Sequence, residues 1–237
     1  MYLYWYAMKI YGIEKLTLVD FDAHCSCILF TGACNFCCPF CQNSALVIDQ
    51  LPDPIDENEI EEYLKARTNV LYGVVISGGE PTINKGLPDY IRHIKSAYGY
   101  KIKLDTNGSN PEMLKQLVEE GLVDYVAMDI KNSLDDYDLA IGIENYDTTK
   151  VKESIDYLKE GHVDYEFRTT LVYELHSKKN IEEIAELLKG AKRYFLQHFE
   201  DRGGNICDSL TAIPKEQAEE FVDILKKNIE SVSLRGY

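Results

Sequence analysis

The sequence predicts an α/β fold, an incomplete (β/α)6 TIM-like barrel in which a parallel sheet is covered by helices. Three observations predict it. Six apolar strand patterns alternate with six helix patterns, the signature of parallel βα units. The chain has 237 residues, short of the ~250 that a complete eight-unit barrel takes. Polar punctuation collects where the strands end: a cysteine loop, Gly78-Gly79-Glu80, Asp105-Thr106, Asp129 and Lys131, Arg168, and Gln197-His198. The carboxyl ends of parallel strands are the face on which such folds build their sites.

Each unit follows from its residues. Apart from His24, Ala23 to Phe30 is apolar, small or Cys and reads as a buried strand leading into the cysteine loop. Leu51-Pro52-Asp53-Pro54 is a breaker, after which Asp56 caps a helix through Ile60 and Leu64. The next strand, 70–76, ends in Ser77-Gly78-Gly79-Glu80-Pro81 and is followed by a helix over 87–98. A strand over 100–105 ends in Asp105-Thr106-Asn107-Gly108. Pro111 suits the first turn of the following helix, and Gly121 its stop. Strands over 123–131, 165–172 and 193–199 then alternate with helices over 148–160, 180–189 and 214–229, and 231–235 reads as a closing strand. Right-handed crossovers are expected throughout. There are no repeats, low-complexity tracts or linkers, so 1–237 reads as a single domain. Residues 1–7 read either as a dispensable extension ahead of Met8 or as an edge strand over 2–6.

Composition narrows the functional classes. Hydrophobic residues make up 45% and charged residues 27% of the chain, ordinary for a globular protein. The net charge is −15, from 40 acidic and 25 basic residues, which argues against general nucleic-acid binding. No run approaches the ~18 apolar residues of a membrane span, and the start MYLYWYAMKIYG is not a secretory signal. Of seven cysteines, six lie from Cys25 to Cys41, unlike a disulfide framework. A reducing cytoplasm is the expected compartment. Cys25 and Cys27, two apart on a strand, read as small buried side chains.

The chemistry concentrates in Cys34-Asn35-Phe36-Cys37-Cys38-Pro39-Phe40-Cys41. Cys34, Cys38 and Cys41 stand at Cys-x3-Cys-x2-Cys spacing. Thiolates are soft ligands for zinc, copper(I) or iron–sulfur clusters. An all-cysteine cluster or structural zinc site takes four ligands. Three on one tight loop leave one iron of a four-iron cluster open, and an open metal position is where chemistry is done. Replacing Cys38 by Cys37 reverses the spacing. A zinc knuckle on Cys34, Cys37, Cys38 and Cys41 would need two adjacent ligands in one tetrahedron. Gly78-Gly79 at a strand end allows close backbone approach to a ligand, with carbonyls suited to an ammonium group. Asp105, Thr106 and Asp129 at neighbouring strand ends form a candidate hard-cation site. Lys131 either supplies positive charge for a carboxylate or, two residues from Asp129, forms an ordinary surface ion pair.

The cysteine stretch resembles the radical S-adenosylmethionine (radical SAM) signature, with Phe40 as its aromatic residue before the last cysteine. Five stretches together are similar to the activases of glycyl-radical enzymes: 31–43, 76–82 (IleSerGlyGlyGluProThr), 103–108 (LysLeuAspThrAsnGly), 124–131 (AspTyrValAlaMetAspIleLys) and 166–170 (GluPheArgThrThr). The resemblance implies one 4Fe–4S cluster on Cys34, Cys38 and Cys41, with S-adenosylmethionine chelated at the open iron. It implies that Gly78, Gly79 and Glu80 hold the methionine amino group, and that Lys131 and Arg168 contact the carboxylate. A monovalent cation is implied at Asp105, Thr106, Asp129 and the Ala127 carbonyl. Ribose or adenine would be met by Gln197 or His198, the family's usual His being offset by one here. The implied reaction is reductive cleavage to a 5′-deoxyadenosyl radical, which abstracts a glycine Cα hydrogen on a partner glycyl-radical enzyme.

No cysteine lies between Cys41 and Cys207, which implies one cluster, and the short form resembles the activating protein of anaerobic ribonucleoside-triphosphate reductase. Pyruvate formate-lyase activase is the runner-up; Asp20-Phe21-Asp22-Ala23 lacks the Pro-Gly that the family's entry usually has. Flavodoxin or ferredoxin is the implied electron donor. A rival is a small-molecule radical enzyme such as 7-carboxy-7-deazaguanine synthase, in which a hydroxyl residue follows the cysteine loop; here Gln42-Asn43 follow. A non-enzymatic electron-transfer or zinc module would need no clamp for an ammonium and a carboxylate. The spacing predicts that Cys37→Ala keeps the iron and cleaves S-adenosylmethionine, whereas Cys38→Ala loses both. Iron analysis showing an empty Cys37→Ala protein would reverse the ligand choice.

Overall fold

Eight strands lie in one sheet in chain order. They are β1 (Ile10–Thr17), β2 (Ser26–Thr31), β3 (Gly73–Gly78), β4 (Lys101–Thr106), β5 (Tyr125–Asp129), β6 (Asp164–Leu171), β7 (Arg193–His198) and β8 (Ser231–Arg235). The computed structural model describes residues 8–21, 24–47, 51–201 and 203–237, so both readings of residues 1–7 lie outside the described residues. β2 to β8 pair in parallel and β1 pairs antiparallel with β2. Among the described residues no ladder joins β1 to β8, and the barrel is incomplete. No helix among them is long and apolar enough to cross a membrane.

The helices are α1 (Glu57–Ala66), α2 (Leu87–Tyr98), α3 (Pro111–Glu119), α4 (Tyr137–Ile141), α5 (Thr149–Lys159), α6 (Lys178–Leu187) and α7 (Lys215–Leu225). Local chemistry sets their starts. The Asp56 carboxylate accepts from the Asn58 N–H at 2.8 Å. Asn110 accepts from the Met113 N–H just ahead of Pro111, and Ser177 and Asn180 form a reciprocal capping box. Gly121 and Gly161 follow α3 and α5 with positive φ, as their sequence positions predict.

Strand alternation decides what lies on each side of the sheet. Val74, Ile76, Ile102, Leu104, Val126, Met128, Phe167 and Leu196 belong to the main apolar core with the buried stripes of the helices, such as Leu87, Ile91 and Ile94 of α2. The intervening positions, among them Ser77, Lys103, Asp105, Asp129, Glu166 and Arg168, face the barrel interior. A small separate cluster of Phe21, Val75 and Tyr125, with Ile28 against it, fills the interior near the amino ends of the strands. β1 had no clear sequence signal. Its register against β2 shifts between Ile10 and Gly12 and again between Glu14 and Thr17, and such irregularities break the period-two pattern from which a strand is read.

The turn after β3 is held by Glu80, whose side chain is fully buried. One carboxylate oxygen accepts from the Thr82 N–H (3.0 Å), the Thr82 hydroxyl (2.5 Å) and the Thr106 hydroxyl (2.7 Å); the other accepts from the Asn107 N–H (2.6 Å). Burial raises the carboxyl pKa and these donors oppose the rise. Glu80 therefore ties the end of β3 to the end of β4. Glu80→Ala strands several buried donors, each costing about 1–3 kcal/mol. Urea unfolding of the metal-free chain should show a loss of about 3 kcal/mol or more, with Glu80→Gln losing less. An unchanged midpoint in Glu80→Ala would remove this strut from the account.

Candidate active site

A cavity of about 220 Å³ opens at the carboxyl ends of the parallel strands. Cys34, Cys38, Cys41 and Phe40 line it from the loop after β2; Ser77, Gly78, Gly79 and Glu80 from β3 and its turn; and Asp105, Thr106 and Asn107 from β4 and its turn. Asp129, Lys131, Arg168, Thr170 and Gln197 line it from β5 to β7 and the segments that follow. The cysteine loop is pinned from several sides. Ala33, at φ +64°, donates its N–H to the Leu46 carbonyl (2.8 Å), and the Cys37 N–H reaches the Ile141 carbonyl at the end of α4 (2.9 Å). Cys37 itself is exposed and is not among the lining residues. Burial pushes the thiols of Cys34 up to about 12 and Cys38 up to about 11, and raises Cys41; the Lys131 ammonium pulls all three the other way. Thiols so protonated need a metal to become thiolates.

The two glycines also admit a neighbouring segment of backbone. A Cβ at Gly78 (φ +119°) would sit 2.3 Å from the Thr31 carbonyl oxygen, and one at Gly79 would lie 1.8 Å from the Ala33 carbonyl oxygen. Their bare backbones let the root of the cysteine loop dock on β3, where the Gly79 N–H donates to the Thr31 carbonyl (3.0 Å) and the Glu80 N–H to the Ala33 carbonyl (2.9 Å). The Gly78 carbonyl already accepts from the Asn43 amide at 3.2 Å.

The acidic and basic residues form one alternating chain. Arg235 pairs with Glu166 (3.1 Å), Glu166 with Lys103 (3.8 Å), and Lys103 with Asp105 (3.7 Å). Asp105 continues to Arg168 (3.3 Å), Arg168 to Asp129 (2.8 Å), and Asp129 to Lys131 (3.1 Å). Parallel register sets Asp129 beside Arg168. Burial alone would raise the Asp129 carboxyl, but Arg168 and Lys131 hold it down at about 2. The Lys131 ammonium also stands 5.8 Å from the centre of the Phe40 ring.

Thirteen of the fourteen site residues expected from sequence line this cavity, and His198 does not. On a strand, neighbours point to opposite faces; Gln197 faces the cavity while His198 packs against Tyr237, ring centres 4.7 Å apart. The Thr106 hydroxyl is turned to Glu80 rather than to Asp105 and Asp129. Sequence reading missed Ser77, whose hydroxyl donates to Asp105 (3.2 Å), and the contacts of Asn43 and Asn107, although both lie within quoted motifs. It also missed His176, buried after β6 with its Nε2 3.0 Å from the Lys131 carbonyl and its Nδ1 accepting from the Val172 N–H. Burial lowers its pKa. Nothing in the local sequence signals that contact.

The sequence pattern described as the Radical SAM superfamily matches residues 28–191. The chain belongs to the radical SAM superfamily. A Methanocaldococcus jannaschii protein provisionally named a glycyl-radical enzyme activating enzyme is 32% identical over 94% of each chain. Solved structures agree on the fold. A domain of a pyruvate-formate lyase-activating enzyme from Bacteroides vulgatus gives a TM-score of 0.56 at 19% identity, over 69% of this chain and 99% of that one. SuiB of Streptococcus suis, bound to the precursor peptide SuiA, gives 0.67 at 15%, over 88% of this chain and 48% of that one.

Radical SAM membership implies a 4Fe–4S cluster and S-adenosylmethionine, and the residues present fit both. Three soft thiols from one loop face one cavity. The buried Asp105 Oδ1 on the cavity wall has no hydrogen-bond partner. Asp129 yields a pH test on the metal-free chain. Its depressed pKa contributes stability that is present above the ordinary carboxylate value of about 3.9 and is lost as pH falls through about 2. Asp129→Asn should lower the unfolding free energy by about 2 kcal/mol near neutral pH, after allowance for its partial exposure to the cavity. That deficit should shrink between about pH 5 and pH 2; a pH-independent deficit would contradict the ion-pair account.

Proposed function

We propose that this radical SAM enzyme is the activase of a glycyl-radical enzyme, with anaerobic ribonucleoside-triphosphate reductase as its partner. One observation carries the reading: a three-thiol loop and the Asp105–Arg168–Asp129–Lys131 charges share one cavity at the mouth of an open barrel. The similarity to the M. jannaschii protein, over nearly the whole of both chains, supports it. So does the run without cysteine from 42 to 206, which limits the chain to one cluster. The described residues up to Tyr237 act in this reading as a single domain.

When bound, the reduced cluster and S-adenosylmethionine supply a 5′-deoxyadenosyl radical that removes a glycine Cα hydrogen from the partner. In this proposal the chain's own residues bind and orient. Cys34, Cys38 and Cys41 hold the cluster. The turn at Gly78, Gly79 and Glu80 faces the methionyl ammonium, with Glu80 acting through the turn that it braces. Lys131 and Arg168 present positive charge to the carboxylate, Gln197 lies toward the nucleoside, and Phe40 shields one wall. A monovalent cation at Asp105 and Asp129 would have to share both carboxylates with the Arg168 guanidinium. The electron comes from a flavodoxin- or ferredoxin-like donor. The open side of the barrel leaves room for a peptide segment of the partner, which a closed eight-unit core would fill with side chains.

The test is electron paramagnetic resonance (EPR). Reduced protein with S-adenosylmethionine alone should give no stable glycyl doublet, and adding the reductase should produce one on the reductase. Gly236 of the terminal Arg235-Gly236-Tyr237 echoes the partners' radical loop, but it follows β8 with φ +85°, where a Cβ would come within 3.3 Å of the His198 Cβ. A doublet in the chain alone, abolished by Gly236→Ala, would overturn the proposal. A doublet on pyruvate formate-lyase but none on the reductase would replace the partner.

A further inference from the structure

We propose that Asn107 sets the reduction potential of the cluster by donating a side-chain hydrogen bond to the sulfur of Cys34. The inference rests on Cys34 being a cluster ligand. Asn107 is 5% exposed and lies in the turn after β4. Its amide nitrogen is 3.9 Å from the Cys34 sulfur and 3.0 Å from the Asn35 side-chain oxygen. The surrounding network fixes which end of the amide faces the sulfur. Its carbonyl oxygen accepts from the Ser109 N–H at 2.9 Å, so the NH2 end must face Cys34 and Asn35. The main chain is anchored as well, with the Asn107 N–H held by Glu80 at 2.6 Å. Asn35 completes the clamp by donating to the Ser109 hydroxyl at 2.8 Å. The Phe36 N–H, 3.4 Å away, is a second donor to the same sulfur.

The direction of the effect follows from charge. A thiolate accepts more strongly than a thiol, so ligation turns a long contact into a charge-assisted hydrogen bond. The reduced cluster carries one more negative charge than the oxidised one. A donor at its sulfur therefore stabilises the reduced form and raises the potential. Asn107 also borders the cavity, between Thr106 and the cysteine loop. A molecule bound there lies against the residue that touches the cluster sulfur.

The experiment is a potentiometric titration of the cluster-loaded protein, followed by EPR. Asn107→Ala should load iron normally and shift the midpoint potential to more negative values. Asn107→Asp keeps an acceptor for the Ser109 N–H and removes the donor, and should shift the potential further the same way. Ser109→Ala breaks the Asn35 clamp but spares the Asn107 amide, and should leave the potential unchanged. An unshifted potential in both Asn107 variants overturns the inference, as does an equal shift in Ser109→Ala, which would trace the effect to loop packing. Full iron content in Cys34→Ala would instead defeat the ligand assignment beneath it.

Discussion

The site depends on charges that neutralise one another inside the barrel. Arg235, Glu166, Lys103, Asp105, Arg168, Asp129 and Lys131 alternate in sign without a break, each within 4.0 Å of the next. Taking one such group out of water costs several kcal/mol, and removing a partner from a buried pair costs about 3–5 kcal/mol. Alternation makes the burial tolerable, because every internal member has an opposite charge on both sides. The chain also holds strands together: it connects β8, β6, β4 and β5 and ends at Lys131 beside the cysteine loop. Its two terminal groups are both cations, so it carries one more positive than negative charge. At the opposite end of the interior, Lys103 donates to the Asp20 carbonyl and so ties the network to the segment carrying Phe21.

The cysteine loop has little regular structure of its own and takes its shape from its neighbours. β3 receives its root through Gly78 and Gly79, and α4 receives its middle through Ile141. The segment after β7 covers its far side: Gln42 donates to the Glu200 carbonyl (3.1 Å), Ser44 to the Gly204 carbonyl, and the Cys207 N–H to the Pro39 carbonyl (3.0 Å). Such support holds a metal-binding loop in position before the metal arrives, so less ordering remains to be done on binding. The turn after β4 adds the Asn107 and Asn35 contacts, which place the Cys34 end of the loop under the control of the same turn that borders the cavity.

Much of the fold was legible because its signals are local. Each parallel strand is an apolar run of ordinary length, each helix carries a start or stop residue, and the order βαβα leaves few topologies open. β1 escaped because two register shifts destroy its alternation. The site was legible in its residue types, since cysteine spacing, paired glycines and acids at strand ends are unusual in one chain. The packing contacts that some of them make were not. Gly78 and Gly79 admit the neighbouring backbone, and the Glu80 carboxylate faces Thr82, Thr106 and Asn107. Gln197 and His198, adjacent in sequence, part to opposite faces of β7.

The sequence by itself determined the class of fold, the three-thiol loop and the set of polar residues on one rim, because all of these follow from spacing along the chain. Only the tertiary structure decided which charges pair, which sulfur receives a side-chain donor and which carbonyl His176 faces. Asp105 and Arg168 lie 63 residues apart, and Asn107 and Cys34 lie 73 apart. Contacts at such separations are set by strand register and by the packing of loops over the barrel mouth, and no local pattern encodes either.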